Sequence, residues 1–211
     1  MRWNTVLLPF EQYKFVALLP DEGYVLDERL NEPRPFGTYP EFGGTIARKG
    51  TTTLIMDTRS LILGLEAKNG QSLAEDFDVL ENALRSELSF DSPEHASFYE
   101  ILSNALVWTK QDALAVLRKL GVNNLMASRF SEATDLGPAA NATLRLVPTS
   151  GEVHSENWWE FQIEFSPRSP HNCYRVQIIY RSPERSKVMD LTKDIERFIR
   201  TSIELLEETD E

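Results

Sequence analysis

One cysteine, Cys173, stands in the 211 residues of the chain. A single thiol closes no internal disulfide, so burial alone must hold the fold, and a reducing compartment is expected. Histidine is nearly as scarce, with His95, His154 and His171 the three present. None has zinc-ligand spacing, and His171 with Cys173 supplies two ligands where tetrahedral zinc takes three or four from protein, so no metal is expected. No run approaches the ~20 apolar residues of a membrane span, and Met1-Arg2-Trp3-Asn4 lacks the apolar core of a signal peptide. A cytoplasmic protein without a membrane partner is the expectation, in which Asn141-Ala142-Thr143 is a coincidental glycosylation match.

Basic residues are also short, 22 Lys and Arg against 33 Asp and Glu, a formal net charge of −11. Phosphate backbones are bound by clustered cations, so direct nucleic-acid binding is not expected. The run Thr109 to Glu132 has the flavour of a helix-turn-helix, but its spacing is too long and its charge wrong. Gly-rich phosphate loops, G-x-S-x-G and H-E-x-x-H are all missing, and no catalytic residue or cofactor is assigned.

What is present is pattern. Trp159-Glu160-Phe161-Gln162-Ile163-Glu164-Phe165 and Tyr174-Arg175-Val176-Gln177-Ile178-Ile179-Tyr180 alternate with period two, as half-buried strands do. A symmetric hairpin sets Phe165 against Tyr174, Ile163 against Val176, Phe161 against Ile178 and Trp159 against Tyr180, with Glu164 beside Arg175 on the other face. Ser182-Pro183-Glu184 then opens a helix striped by Val188, Leu191, Ile195, Phe198, Ile199 and Leu206, expected to lie across the aromatic face.

Earlier in the chain, Thr5 to Leu8 and Tyr13 to Leu19 read as short strands. Gly23 to Gly44, with three prolines and four aromatics, reads as a long loop, the kind that is often functional. Thr51 to Met56 and Leu61 to Ala67 read as an apolar hairpin. The next helix opens with a Ser72/Glu75 capping box, and Glu75, Asp76 and Asp78 fall in its first turn. Ser92-Pro93-Glu94 predicts a further helix carrying Phe98, Ile101, Leu102, Ala105 and Leu106, and Thr109 with Asp112 a short one ending at Gly121. Ala142 to Val147 reads as a strand.

The pattern predicts an α+β fold, an antiparallel sheet of roughly six to eight strands with helices packed on one side and a long C-terminal helix along it. One domain spans residues 1–211, with two hairpin-then-helix halves, 1–90 and 122–211, joined by a helical segment 92–121. Glu152, His154 and Glu156 read as solvated. Trp158 and Trp159 must point to opposite faces of their strand, and Trp158 with Arg181 is the best recognition patch, joined by Arg34, Tyr39 and Phe42 from the long loop. Saddle-like sheets suit docking, so the expected function is a non-enzymatic protein-interaction module, docking a basic partner on the acid excess or forming a homo-oligomer. The alternative is a small-molecule binder or enzyme with an apolar pocket between the sheet and the last helix, using Arg34, Tyr39, His154 or Arg175.

Overall fold

A computed structural model of the chain describes residues 1–3, 11–30, 43–120, 129, 132, 142–150, 152 and 155–208. The fold is α+β. The chain divides into two compact units. Unit 1 holds Met1–Glu100 and Arg181–Ile195, and unit 2 holds Ile101–Tyr180 and Glu196–Glu211.

In unit 1 the strands run in the order β2 (Val25–Leu26), β3 (Gly43–Lys49), β4 (Thr52–Asp57), β5 (Ile62–Glu66), β1 (Arg2–Trp3) and the start of β6 (Ala96–Trp108). The pairings β1–β5, β1–β6, β2–β3, β3–β4 and β4–β5 are antiparallel. The apolar hairpin read at 51–67 is β4 with β5, pairing Thr53 with Glu66 and Asp57 with Ile62, and its Leu54, Met56 and Leu63 are fully buried. Their burial draws in α2 (Gly70–Leu88), whose apolar side carries Ala74, Phe77, Leu80, Ala83 and Leu84. Asn69, not the Ser72/Glu75 box, caps it: Asn69 Oδ1 accepts from the Ser72 N–H at 2.8 Å. Because the helix starts at Gly70, Glu75, Asp76 and Asp78 lie beyond its first turn, contrary to the placement read from the box.

Two further expectations are corrected. Residues 13–19 are not a strand. Gln12–Leu18 form helix α1; Phe15 within it and Leu19, one turn on at its C-cap, are both fully buried, and the four-residue spacing outweighs the apparent alternation. The helix expected after Ser92 lasts one turn, α3 (Ser92–His95), and Ala96–Trp108 is strand β6. Its apolar residues fit both periods, and pairing with β1 and β9 decides between them.

The terminal helix is in two pieces, α5 (Arg185–Lys193) and α6 (Ile195–Glu208), with Asp194 at the joint. In unit 1, α5 crosses α2 so closely that a Cβ on Gly70 would stand 1.9 Å from the Thr192 carbonyl oxygen and 2.7 Å from Ile195 Cγ2. Glycine is therefore required by contact and not by backbone angle.

In unit 2, β6 is followed by β9 (Cys173–Ser182), β8 (Trp158–Phe165) and β7 (Thr143–Leu146). The pairing β7–β8 is antiparallel. The Ser166 N–H donates to the Cys173 carbonyl at 2.8 Å, which sets Ile163 against Val176 as the alternation requires, and Arg175 meets Glu164 at 3.2 Å. Ile163, Val176, Ile178 and Phe161 are buried on one face, and Phe198 of α6 stands edge-on to Phe161 at 5.7 Å. The short helix α4 (Ala113–Lys119) is capped by Asp112 and tied to the β8–β9 loop by the Ala113 N–H donating to the His171 carbonyl.

Gly70→Ala is expected to destabilise the protein by about 3 kcal/mol, since the obstacle is backbone and cannot rotate away. Gly64→Ala, where nothing stands within 4 Å, is the control and should change stability by no more than about 1 kcal/mol. Urea unfolding of the two variants measures both.

Candidate interaction face

Alternation along β6 produces the feature that stands out in unit 2. Ile101 is buried and Ser103, Ala105 and Val107 are half-buried, while Leu102, Asn104, Leu106 and Trp108 are exposed. The three apolar members are 62%, 61% and 66% exposed. Period two places all four on one face of the strand.

The Thr109 N–H donates to the Asn172 carbonyl at 3.0 Å, and at the other end of the strands Arg181 Nη2 meets Glu100 at 2.5 Å. Both contacts fit one antiparallel register between β6 and β9. Carried along the strands, it sets Leu106 against Arg175, Asn104 against Gln177 and Leu102 against Ile179. Farther across the sheet the charges close on themselves: Arg175 pairs with Glu164, and Arg145 grips Glu160 with Nε at 2.9 Å and Nη2 at 2.8 Å. The face thus has a self-neutralised side on β7, β8 and β9 and an apolar row on β6.

Of the residues singled out in the sequence, Trp158 is buried in unit 2 and its neighbour Trp159 is 38% exposed on the opposite face. Arg181 belongs to unit 1, where it pairs with Glu100 and lies over the Phe98 ring at 4.2 Å. Arg34, Tyr39, Phe42 and His154 lie outside the described residues. His171 Nδ1 meets Asp112 at 2.9 Å on the surface, and hydrogen bonds from the Ala115 N–H and from His171 hold Asp112 below the usual carboxylate range. His95 stacks on Phe90. Among the described residues, no group of three or more His, Cys, Asp or Glu could hold a metal, and no helix is long and apolar enough to cross a membrane.

The open row is hidden in the sequence because Leu102 and Leu106 stand one helical turn apart and also fit a helix. The available signal was Ser103, Ala105 and Val107 alternating with them.

Unit 1 holds a cluster of charged groups whose members are engaged with one another and with neighbouring side chains. Glu81, 4% exposed, accepts from Arg185 Nε at 2.5 Å and from the Ser92 hydroxyl. Asp78 accepts from Arg185 Nη2, and the guanidinium lies 5.9 Å from the centre of the Phe77 ring. Asp76 accepts from the Thr52 hydroxyl and Glu75 from Gln71. Nearby, Tyr24 is buried under the Lys49 ammonium, and its hydroxyl meets no hydrogen-bond partner among the described residues. Burial, reinforced by the charges of Asp76 and Glu22, pushes its pKa up to about 12.

No family model, no curated protein and no solved structure matches this chain.

Arg185→Met is expected to cost about 3 kcal/mol by stranding the Glu81 carboxylate, and Arg185→Met combined with Glu81→Leu to recover most of it, as chemical denaturation of the two variants will read. The Tyr24 hydroxyl ionises near pH 10 in the unfolded chain but only near 12 in the folded one. The folded state therefore binds the extra proton in that window, and stability falls with rising pH by about 1.4 kcal/mol per unit. Tyr24→Phe should flatten that alkaline slope in denaturation midpoints and leave stability near neutral pH equal or slightly higher.

Proposed function

We propose that the chain is a protein-interaction module that docks a protein partner through the exposed row of β6. The observation that carries this reading is three large apolar side chains, Leu102, Leu106 and Trp108, each more than half exposed on one face of one strand. Scattered exposed leucines are ordinary, whereas an ordered row beside a polar, internally paired surface has the layout of an interface core with its rim. Tryptophan adds weight, since it is among the residues that most often dominate docking energy.

The acids of β8 on this face, Glu164 and Glu160, are taken up by Arg175 and Arg145. Apolar burial rather than attraction to a basic surface supplies the affinity here, and the excess of acid elsewhere in the chain keeps the free protein soluble. The polar groups of the large charged cluster in unit 1 are engaged with one another, which supports docking over chemistry there.

Native mass spectrometry of the full chain isolated gently from its own cells tests this. The wild type is expected to carry a stoichiometric protein partner, and Leu102→Ser with Trp108→Ser to lose it while stability stays within about 0.5 kcal/mol, as exposed substitutions do. A partner that survives the double variant would refute the docking face.

A further inference from the structure

The row on β6 lies beside a strand edge that is itself ready to pair. Thr109 donates to Asn172 across the β6–β9 ladder, and in an antiparallel ladder the residues that exchange hydrogen bonds with one neighbour alternate with those whose N–H and C=O point to the other side. Residues 107, 105, 103 and 101 therefore bond towards β9. Residues 102, 104, 106 and 108 direct their backbone groups away from it. On that other side β1 pairs with the start of β6, Arg2 with Phe98 and Trp3 with Ala96. Beyond Phe98 no described strand pairs with that edge.

An unpaired edge is normally guarded by a charge, a proline or a bulge. Ile101-Leu102-Ser103-Asn104-Ala105-Leu106-Val107-Trp108 contains neither a charged residue nor a proline. It is also self-complementary. When the segment is laid antiparallel to a copy of itself about a two-fold axis at Asn104, Leu102 meets Leu106 of the copy, Leu106 meets Leu102 and Asn104 meets Asn104. Leu102, Asn104 and Leu106 are the positions whose backbone groups point outward, so each of these pairs can exchange hydrogen bonds. On the other face Ile101 meets Val107 and Ser103 meets Ala105. Moving the axis by one residue, to Ala105, sets Asn104 against Leu106 and matches polar with apolar.

From this match we infer that the occupant of the β6 face is a second copy of this chain, joined edge to edge in an isologous antiparallel pair centred on Asn104. The inference rests on the docking role proposed above and names its partner. A two-fold interface of this kind consumes both edges and adds no new one. Both copies carry a net charge of −11, so their mutual repulsion is screened by salt and pairing tightens as ionic strength rises, whereas a basic partner would be released.

Sedimentation equilibrium of the full chain at about 100 µM, where a micromolar dissociation constant leaves mostly dimer, is the test. The wild type should show twice the mass of the chain, more completely at higher salt. Leu106→Lys, which puts a guard on an already exposed position, should show the monomer mass with an unchanged circular dichroism spectrum. Asn104→Pro, which removes an outward N–H without touching the β9 ladder, should do the same. A monomeric wild type, or a dimer that withstands Leu106→Lys, overturns the inference. If the pure chain is monomeric and Leu106→Lys nevertheless strips a different protein from the complex isolated from cells, the second copy is excluded and the docking role stands. If it strips nothing, both fall.

Discussion

Unit 1 depends on a contact that leaves room for no side chain. Its hundred N-terminal residues are completed by a segment that returns from position 181, and the returning helix α5 is admitted only because Gly70 lets the Thr192 carbonyl approach the start of α2. One turn of close backbone contact is weak by itself, and the same crossing is secured at its far end by Arg185, which spans Glu81 and Asp78 across more than a hundred residues of sequence. Closing so long a loop has an entropic cost that grows only slowly with length, so a few buried hydrogen bonds and one close-packed crossing can hold it. Glu81 tolerates burial because Ser92 and Arg185 both donate to its carboxylate, and Ser92 sits where α3 turns the chain into β6. The crossing thereby also fixes the entry of that strand.

Where local chemistry decides structure, it was legible in the sequence. The β8–β9 hairpin was readable down to the pairing of Glu164 with Arg175, because strict alternation leaves one register that puts the apolar residues on one face, and the Ser166 to Cys173 hydrogen bond obeys it, although Trp159 at its end is exposed. The β4–β5 hairpin was readable from its two apolar runs. Legibility failed where tertiary contacts choose between two local options. Tyr13 to Leu19 alternates and also repeats at four residues, and the burial of Phe15 with Leu19 selects the helix. The 96–108 segment opens with sound helix-start chemistry at Ser92-Pro93-Glu94, which is used for a single turn before pairing on both sides takes over. Gly70 carried no signal at all, since nothing in its neighbours in sequence announces that Thr192 will lie against it.

The misread strand and the candidate site are the same residues, and the coincidence has a physical cause. A segment that places leucines four apart and also alternates them with Ser103, Ala105 and Val107 satisfies a helix with one face and a strand with another. As a helix, Leu102 and Leu106 would be buried together. As strand β6 they share the face away from the small residues, and three large side chains stand in solvent. A strand whose outer face is apolar gains nothing from its own fold for those side chains, and a covering partner, as proposed above, would bury them.

The two edges of the unit 2 ladder differ in a way that bears on what covers them. β7 is four residues long, and its Arg145 is drawn to Glu160, so this edge is short and carries charge. The 101–108 stretch of β6 is twice that length and carries none. Short, charged edges resist templating by other chains, and long neutral ones invite it. Among the described residues one edge of this ladder is guarded and the other open, so a chain paired through β6 would offer the guarded β7 to the next. A closed pair, as inferred above, would use the β6 edge, and a charge of −11 on each partner would act against any larger assembly.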